Sequence, residues 1–182
     1  MIGIFGGSFN PVHCGHIQLA QAIVDQSIVD EVWLTLSPLN PLKADSRELA
    51  SDADRMAMLQ LAVKDHKGLK ACDIELTMPR PSYTIDTLRR LEQIYPDEKF
   101  RLIIGSDNLL IFNRWRASDE LMRDFRPIVY PRPGYKAEGC IDVPQFNISS
   151  TEVRNRIRRG EAVNNLVPAE VSDYIRTHHL YV

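Results

Sequence analysis

Cysteine is scarce in this chain, and its pattern bears on the redox environment and on metals. The three cysteines are Cys14, Cys72 and Cys140, an odd number with no CxxC spacing. This pattern argues against a disulfide framework and against a structural zinc site, and it suits a reducing compartment. We therefore expect a cytoplasmic protein.

Long hydrophobic runs are also missing. No stretch approaches the roughly 20 apolar residues that a membrane-spanning helix needs. The chain opens with MIGIF, which has neither the basic n-region nor the cleavage site of a signal peptide. We expect a soluble protein that makes no use of a membrane.

Charge of one sign is not in excess either. The 182 residues include 22 lysines and arginines against 24 aspartates and glutamates, a formal net charge of -2. Because proteins that bind nucleic acid usually carry a basic excess, we expect no nucleic-acid partner. The length and the 44% hydrophobic content predict one globular domain over residues 1–182, and a homo-oligomer is possible.

Short apolar runs alternate with helical patterns along the chain. Strands are predicted at residues 2–5, 31–36, 71–76, 100–104 and 127–130. Helices are predicted after Pro11, after Ser51 or Asp52, through Ile85, Leu88, Leu91 and Tyr95, in short pieces between 107 and 125, and at 149–160 and 168–178. This alternation predicts an α/β fold, a doubly wound Rossmann-like parallel sheet with C-terminal helices. Ligands of such sheets bind beyond the carboxyl ends of the strands, which here end near Gly6-Gly7 and Gly105.

The turn after the first predicted strand carries the strongest chemical signal. From Gly6 to His16 it reads GGSFNPVHCGH and leads into the first predicted helix. Glycines let the backbone approach a ligand, and amides at a helix N-terminus favour phosphate oxygens. Two imidazoles, His13 and His16, would stabilise charge that moves toward a leaving pyrophosphate. Zinc is the alternative for two histidines at this spacing, but the sequence suggests no third ligand.

Two familiar nucleotide-binding fingerprints are absent from this turn. It lacks the Gly-Lys-Ser/Thr of a P-loop and the GxGxxG of a dinucleotide site. A dehydrogenase would need the second fingerprint and an acidic residue about 20 positions on. We therefore do not expect a dehydrogenase.

A second motif, ISSTEVR, lies at residues 148–154. Ser149 and Glu152 have the spacing of a capping box, which predicts a well-capped helix start. Arg154 and the hydroxyls of Ser150 and Thr151 would add a cation and hydrogen-bond donors at that helix N-terminus. This combination suits the β- and γ-phosphates of a nucleotide.

Together the two motifs resemble a known group of enzymes. GGSFNPVHCGH resembles the (T/H)xGH signature of the nucleotidylyltransferase superfamily, and ISSTEVR resembles its ISxTxxR partner. Across nearly its full length the chain resembles bacterial nicotinate-nucleotide adenylyltransferases. Further matching segments read PSYT at 81–84, IGSDN at 104–108, NRW at 113–115 and RPG at 132–134.

The resemblance implies roles for individual residues. His13, His16 and Arg154 would be catalytic, with His16 closest to the reacting α-phosphate. The implied ATP site comprises Gly6, Gly7, Ser8, Phe9, His13, His16, Gly105, Asp107, Ser149, Ser150, Thr151 and Arg154. The implied substrate site comprises Lys43, Tyr83, Thr84, Asp107, Trp115 and Arg132.

One segment departs from the family pattern. In the loop after the second strand the family usually has Pro-His-Lys, whereas this chain reads Asn40-Pro41-Leu42-Lys43. Leu42 thus replaces the histidine. Lys43 remains available for a substrate phosphate.

The reaction that the resemblance implies joins ATP and nicotinate mononucleotide into deamido-NAD and releases pyrophosphate. The acceptor phosphate is already a charged nucleophile, so neither a general base nor a covalent intermediate is required. Mg²⁺ would arrive with the triphosphate, because it keeps waters and phosphate oxygens as ligands, and we predict no dedicated metal site in the protein.

Several alternatives stay open at this point. Nicotinamide mononucleotide or phosphopantetheine could be the acceptor, and a cytidylyltransferase shares the logic of the HxGH motif. In a different class, a nucleotide-binding sensor would keep the pocket and release no pyrophosphate.

Overall fold

The apolar runs form strands and the amphipathic segments form helices in a computed structural model, which describes residues 1–38, 49–135 and 138–182. The strands are β1 (Ile2–Gly7), β2 (Glu31–Leu36), β3 (Leu69–Cys72), β4 (Phe100–Gly105) and β5 (Ile128–Tyr130). The helices are α1 (Cys14–Asp25), α2 (Asp52–Val63), α3 (Thr84–Ile94), α4 (Ser106–Leu109), α5 (Ser118–Phe125), α6 (Ser150–Arg158) and α7 (Ala169–Thr177). Turns of 3₁₀ helix cover Ile74–Thr77 and Phe112–Arg114.

The five strands form one parallel sheet in the order β3-β2-β1-β4-β5. Ile2 of β1 is opposite Glu31 on one side and Phe100 on the other. The strand order therefore reverses between β1 and β4, which is the topological switch point of a doubly wound sheet. The predicted fold class is confirmed, and the ends of β1 and β4 meet at one edge.

Alternate side chains of each strand enter two separate cores. Phe5 and Leu34 pack with residues of α1, α2, α6 and α7 on one face of the sheet. Ile4 and Trp33 pack with residues of α3 and α5 on the other face. This burial of both faces explains why the strands read as continuous apolar runs. Among the described residues, no helix is long and apolar enough to cross a bilayer.

Two predicted boundaries were wrong. The strand predicted at 71–76 lies at Leu69–Cys72, and the chain then turns, with the Leu76 N–H donating to the Asp73 carbonyl at 2.8 Å. Alternating apolar residues in a short 3₁₀ turn imitate the period of a strand. Tyr95 lies beyond the last helical residue of α3 and is 42% exposed, rather than continuing the helix.

Candidate active site

The turn between β1 and α1 is shaped by close packing around Gly7. A Cβ placed on Gly7 would lie 2.9 Å from the ring of Phe9, too close for any side chain. Phe9 has a φ of +42°, a left-handed conformation that is rare for a bulky residue. Its buried ring packs edge-on against Phe5, with 6.0 Å between ring centres, and so holds this backbone conformation. The turn therefore leaves Gly6 exposed at the end of β1.

The two histidines of this turn stack on each other. Their ring centres lie 3.6 Å apart with planes inclined by 21°. The main-chain N–H of His13 donates to Nδ1 of His16 at 3.2 Å. In the neutral ring of His16 the proton then lies on Nε2, because Nδ1 is the acceptor. The half-buried His16 can therefore donate an Nε2–H hydrogen bond to an anion.

His13 is uncharged at neutral pH. Its side chain is 5% exposed, and Nδ1 has no hydrogen-bond partner among the described residues. Burial, followed by the positive charge of Arg132, lowers the pKa of His13 to about 4. His13 therefore contributes a neutral imidazole that buttresses His16.

The start of α6 is attached to the same turn. Ser149 caps the helix by accepting the Glu152 N–H at 3.2 Å, while the Glu152 carboxylate binds Arg156 at 2.7 Å. Ser150 donates its hydroxyl to the Pro11 carbonyl at 2.9 Å. The two sequence motifs thus meet across the chain.

Arg154 makes a second connection between α6 and the turn. Its Nη1 donates to the main-chain oxygen of Asn10 at 2.9 Å, and its Nη2 lies 3.4 Å from Thr151 Oγ1. These contacts fix the guanidinium beside the turn that carries both histidines. A cation and two imidazoles are therefore grouped at the carboxyl end of β1.

The end of β4 supplies the opposite wall. A Cβ on Gly105 would collide with the Asp107 carboxylate and would lie 2.8 Å from Cγ of Arg132. The Asp107 carboxylate lies 3.7 Å from Arg132 Nε. The fully buried Ser106 accepts the Arg132 N–H and donates to the Tyr135 carbonyl, both at 2.9 Å. Ser106 thereby ties the loop after β5 to the end of β4, a role that the sequence did not suggest.

A cavity of about 210 Å³ opens between the end of β1 and the start of α3. Its lining includes the predicted substrate residues Tyr83, Thr84 and Trp115, together with Arg114 and Arg116. Trp115 packs 5.3 Å from Phe112 between ring centres, and its buried Nε1 has no hydrogen-bond partner among the described residues. Trp115 thus belongs to the core and to the wall of the cavity at once.

Glu75 holds the start of α3 in place within this cavity. It is 8% exposed, and its two carboxylate oxygens accept the hydroxyls of Ser82 at 2.7 Å and Thr87 at 3.0 Å. These hydroxyls lie on either side of Tyr83 and Thr84. The N-terminus of α3, whose first amides have no partner within the helix, is therefore fixed beside the cavity that Tyr83 and Thr84 line. Sequence reasoning missed Glu75 because its partners follow it by 7 and 12 residues.

A smaller pocket lies on the other side of the histidines. It is lined by Phe5, His13, Gly15, His16, Leu19, Tyr130, Pro131, Arg132, Pro133, Pro144, Phe146 and Ile148. Phe5 and Tyr130 line both pockets. The two spaces therefore adjoin at the segment from Gly6 to His16, called the histidine turn below. Arg132, predicted to bind the acceptor substrate, lines this smaller pocket beside His13.

Arg55 joins the start of α2 to the loops that follow β1 and β2, a role that the sequence did not reveal. Its side chain is 1% exposed and donates to the main-chain oxygens of Ser8, Ser37, Pro38 and Ala50 and to the Asp52 carboxylate. Arg55 lies four residues before Leu59 of the buried face of α2, a spacing that could have indicated its burial. The predicted Lys43 and the substituted Leu42 lie outside the described residues.

Comparison with known proteins places this geometry in a family. Residues 4–156 match the model of the cytidylyltransferase-like family. A probable nicotinate-nucleotide adenylyltransferase of Bacteroides thetaiotaomicron is 40% identical over 184 residues, covering 97% of this chain and 91% of that protein. A protein of the same name from Salinibacter ruber is 40% identical over 191 residues, covering 99% and 97%.

A solved structure shares the fold. The Plasmodium falciparum nicotinic acid mononucleotide adenylyltransferase, complexed with NaAD, superposes with a TM-score of 0.79 at 19% identity. The superposition covers 99% of this chain and 96% of that chain. Motifs, fold and relatives agree, and the chain belongs to the cytidylyltransferase-like family, among the nicotinate-nucleotide adenylyltransferases.

Proposed function

We infer that this protein transfers the adenylyl group of ATP to nicotinate mononucleotide and thereby makes deamido-NAD and pyrophosphate. Relatives that bear the name of this activity match almost the whole chain. The observation that carries the inference is the attachment of Arg154 to the turn that carries His13 and His16, beside two adjoining pockets.

The triphosphate of ATP lies along the histidine turn and the start of α6. Nε2–H of His16 donates to the α-phosphate, where negative charge builds up as the bond to the β-phosphate breaks. Arg154 binds the β- and γ-phosphates. Ser149 and Thr151 accept hydrogen bonds through their hydroxyl oxygens, so their O–H groups can donate to phosphate oxygens. The Ser150 hydroxyl donates a hydrogen bond to the Pro11 carbonyl and so holds α6 in position.

The chemical step is a direct displacement at the α-phosphorus. A phosphate oxygen of nicotinate mononucleotide forms the new P–O bond, and the bond to the β-phosphate oxygen breaks, so pyrophosphate leaves with that electron pair. No proton has to leave the nucleophile, because the phosphate is already ionised. The residues of this chain therefore position the reactants and stabilise charge, without acting as a general base.

Magnesium fits this site as part of the substrate Mg·ATP. Among the described residues no cluster of three metal-ligating side chains forms, and the groups beside the proposed triphosphate are imidazoles and a guanidinium. Triphosphate oxygens and water would therefore hold the ion, the arrangement that Mg²⁺ prefers. When bound, Mg²⁺ neutralises charge on the leaving pyrophosphate.

The larger cavity takes the pyridine ring, and its chemistry favours a carboxylate. Trp115 Nε1, the N-terminus of α3 and the guanidinium groups of Arg114 and Arg116 offer donors or positive charge. The Glu75 carboxylate also lines the cavity, and each of its oxygens accepts one hydroxyl, from Ser82 and from Thr87. An acceptor-only carboxylate matches this surface, whereas the amide NH₂ of nicotinamide would face donors. Nicotinate mononucleotide is therefore the preferred acceptor.

The smaller pocket, with a volume of about 30 Å³, contacts one edge of the adenosine part of ATP. Arg132 offers a planar cation to a base, and Phe146 and Ile148 offer apolar surface. Gly105 lets Asp107 and Arg132 approach the end of β4, beside the place where the ribose would lie. Arg132 thus serves ATP rather than the acceptor.

A product assay with Mg·ATP tests this function. Nicotinate mononucleotide, nicotinamide mononucleotide and phosphopantetheine serve as acceptors in separate reactions, with CTP in place of ATP as a further control. We expect deamido-NAD to form at least ~10-fold more efficiently than either other product, a discrimination that unpaired polar groups readily provide. Comparable use of both pyridine nucleotides would contradict the acceptor assignment. Absence of any adenylylated product would favour a nucleotide-binding sensor.

His16→Ala tests the catalytic centre in the same assay. We expect kcat to fall by about 10²–10³, because the His16 donor acts on charge that develops in the transition state, with only a modest loss of ATP binding. His178→Ala is the matched control, since His178 is exposed and stacks on Tyr174. Near-normal turnover of His16→Ala would show that this turn is not the catalytic centre.

A further inference from the structure

Asn10 connects three distant parts of the chain to the histidine turn. Its side-chain oxygen accepts the Ala50 N–H at 3.0 Å and the Tyr181 hydroxyl at 2.8 Å. Its main-chain oxygen accepts from Arg154 Nη1 at 2.9 Å. Ala50 lies just before α2, Arg154 lies on α6, and Tyr181 follows α7. Asn10 itself is 6% exposed, three residues before His13.

Tyr181 is held in an unusual conformation to make its contact. Its φ of +66° lies in the left-handed region, which is unfavourable for an aromatic residue. The preceding residue, Leu180, donates its N–H to the Ile175 carbonyl at 3.0 Å and so turns the chain back from α7. Burial raises the pKa of Tyr181, so its hydroxyl stays protonated and can donate the hydrogen bond to Asn10. Strained residues of this kind persist where surrounding contacts determine the backbone.

A left-handed backbone conformation occurs on both sides of this hydrogen bond, at Tyr181 itself and at the residue before Asn10. Phe9, directly before Asn10, has a φ of +42°. A displacement of Asn10 would therefore let the turn relax, and it would carry the histidines and the guanidinium of Arg154 with it. Both groups have to be placed within about 0.5 Å for efficient chemistry.

We propose that Asn10 and Tyr181 are positioning residues for adenylyl transfer, and that the hydrogen bond between their side chains fixes the turn on which His13, His16 and Arg154 depend. This proposal rests on the proposed function. Neither residue needs to touch a substrate. Their effect passes through the geometry of the turn, so it should appear in kcat more than in substrate binding.

Tyr181→Phe removes the hydroxyl and keeps the ring. We expect kcat for deamido-NAD formation to fall about 10-fold, since small misplacements of reacting groups are costly, while KM for both substrates changes less than about threefold. Tm should fall by about 2–4 °C, the effect of one hydrogen bond in a chain of this size. A purely structural role would lower Tm and leave kcat unchanged.

Tyr174→Phe is the matched control. The Tyr174 hydroxyl also makes a long-range hydrogen bond, to Asp54 at 3.1 Å, but it does not contact the histidine turn. We expect its kcat to stay within about twofold of wild type. An equal loss of kcat in both variants would overturn the positioning role, because loss of any tyrosine hydroxyl would then suffice.

A double-mutant cycle with Asn10→Ala tests whether the hydrogen bond itself is responsible. Asn10→Ala removes the acceptor, so adding Tyr181→Phe to it should lower kcat little further. The proposal would be overturned if the double variant lowered kcat by the product of the two single effects. A kcat of Tyr181→Phe within about twofold of wild type would also overturn it. Wild-type protein in the same assay separates the two inferences, since absence of deamido-NAD from wild type would overturn the proposed function instead.

Discussion

Gly6, next to the last residue of β1, and Gly105, the last residue of β4, lie on neighbouring strands but have different surroundings. Among the described residues, no atom beyond the chain neighbours of Gly6 lies within 4 Å of a Cβ placed on it, and its backbone lies outside the left-handed region. Gly6→Ala should therefore change the free energy of unfolding by less than about 0.5 kcal/mol. The added methyl group would project into the larger cavity and should raise KM for the substrates about fivefold or more. Urea unfolding and steady-state kinetics measure the two effects.

Gly105→Ala is the contrasting substitution. Its Cβ would displace the Asp107 carboxylate and Arg132, so we expect a loss of about 1–3 kcal/mol in the free energy of unfolding together with a lower kcat. The two variants thus separate steric hindrance of ligand binding, seen in KM, from steric disruption of the folded protein, seen in the free energy of unfolding. Equal stability losses in both variants would contradict the described geometry.

His13 makes stability depend on pH. Its pKa is about 4 in the folded chain against 6.5 in the unfolded chain, so between these values the unfolded state binds more protons. Neutral His13 contributes on the order of 3 kcal/mol to the free energy of unfolding. This contribution is complete above about pH 6.5 and is lost as the pH falls toward 4. Urea unfolding of wild type and His13→Gln at several pH values measures this loss. An unchanged slope in His13→Gln would contradict the assignment to His13.

At the scale of elements, α2 is joined to two strand-end loops by one buried guanidinium. Arg55→Met would leave several main-chain oxygens without their donor, and we expect the free energy of unfolding to fall by about 3 kcal/mol. Arg80→Met is the control, because Arg80 binds the same Asp52 carboxylate at 2.6 Å but is 50% exposed. Its cost should stay below about 1 kcal/mol. Similar losses in the two variants would show that burial of Arg55 is not decisive.

The elements themselves were largely predictable. Strands buried on both faces read as apolar runs, and amphipathic helices show their period locally, so all five strands and the C-terminal helices were found. The end of β3 was misplaced because residues 74–76 continue the alternating pattern after the backbone has turned. A local pattern cannot report where hydrogen bonds to a neighbouring strand stop.

At the scale of the whole molecule, the proposed ATP site draws on β1, β4, α1 and α6. A ligand that binds all of them should stabilise the folded chain as a unit. At 100 times its Kd, Mg·ATP should add about 2.7 kcal/mol, which corresponds to a rise in Tm of about 5–10 °C. Thermal unfolding with and without Mg·ATP measures this rise. Arg154→Ala should abolish most of it, and an undiminished rise in that variant would contradict the phosphate role of Arg154.

The sequence by itself determined the fold class and the two motifs, because strand and helix periods and the GGSFNPVHCGH and ISSTEVR segments depend on neighbours along the chain. The two motifs identified His13, His16 and Arg154, and the family resemblance added Tyr83, Thr84 and Trp115. These residues lie at the edge of the sheet where β1 and β4 end. Tertiary structure decided the rest: the burial of Arg55 and Glu75, the placement of Arg132 beside the histidines, and the hydrogen bond between Asn10 and Tyr181. Each of these depends on groups brought together by folding, and Asn10 and Tyr181 are 171 residues apart. No local period records such a contact, since its energy exists only after the sheet and its helices have packed.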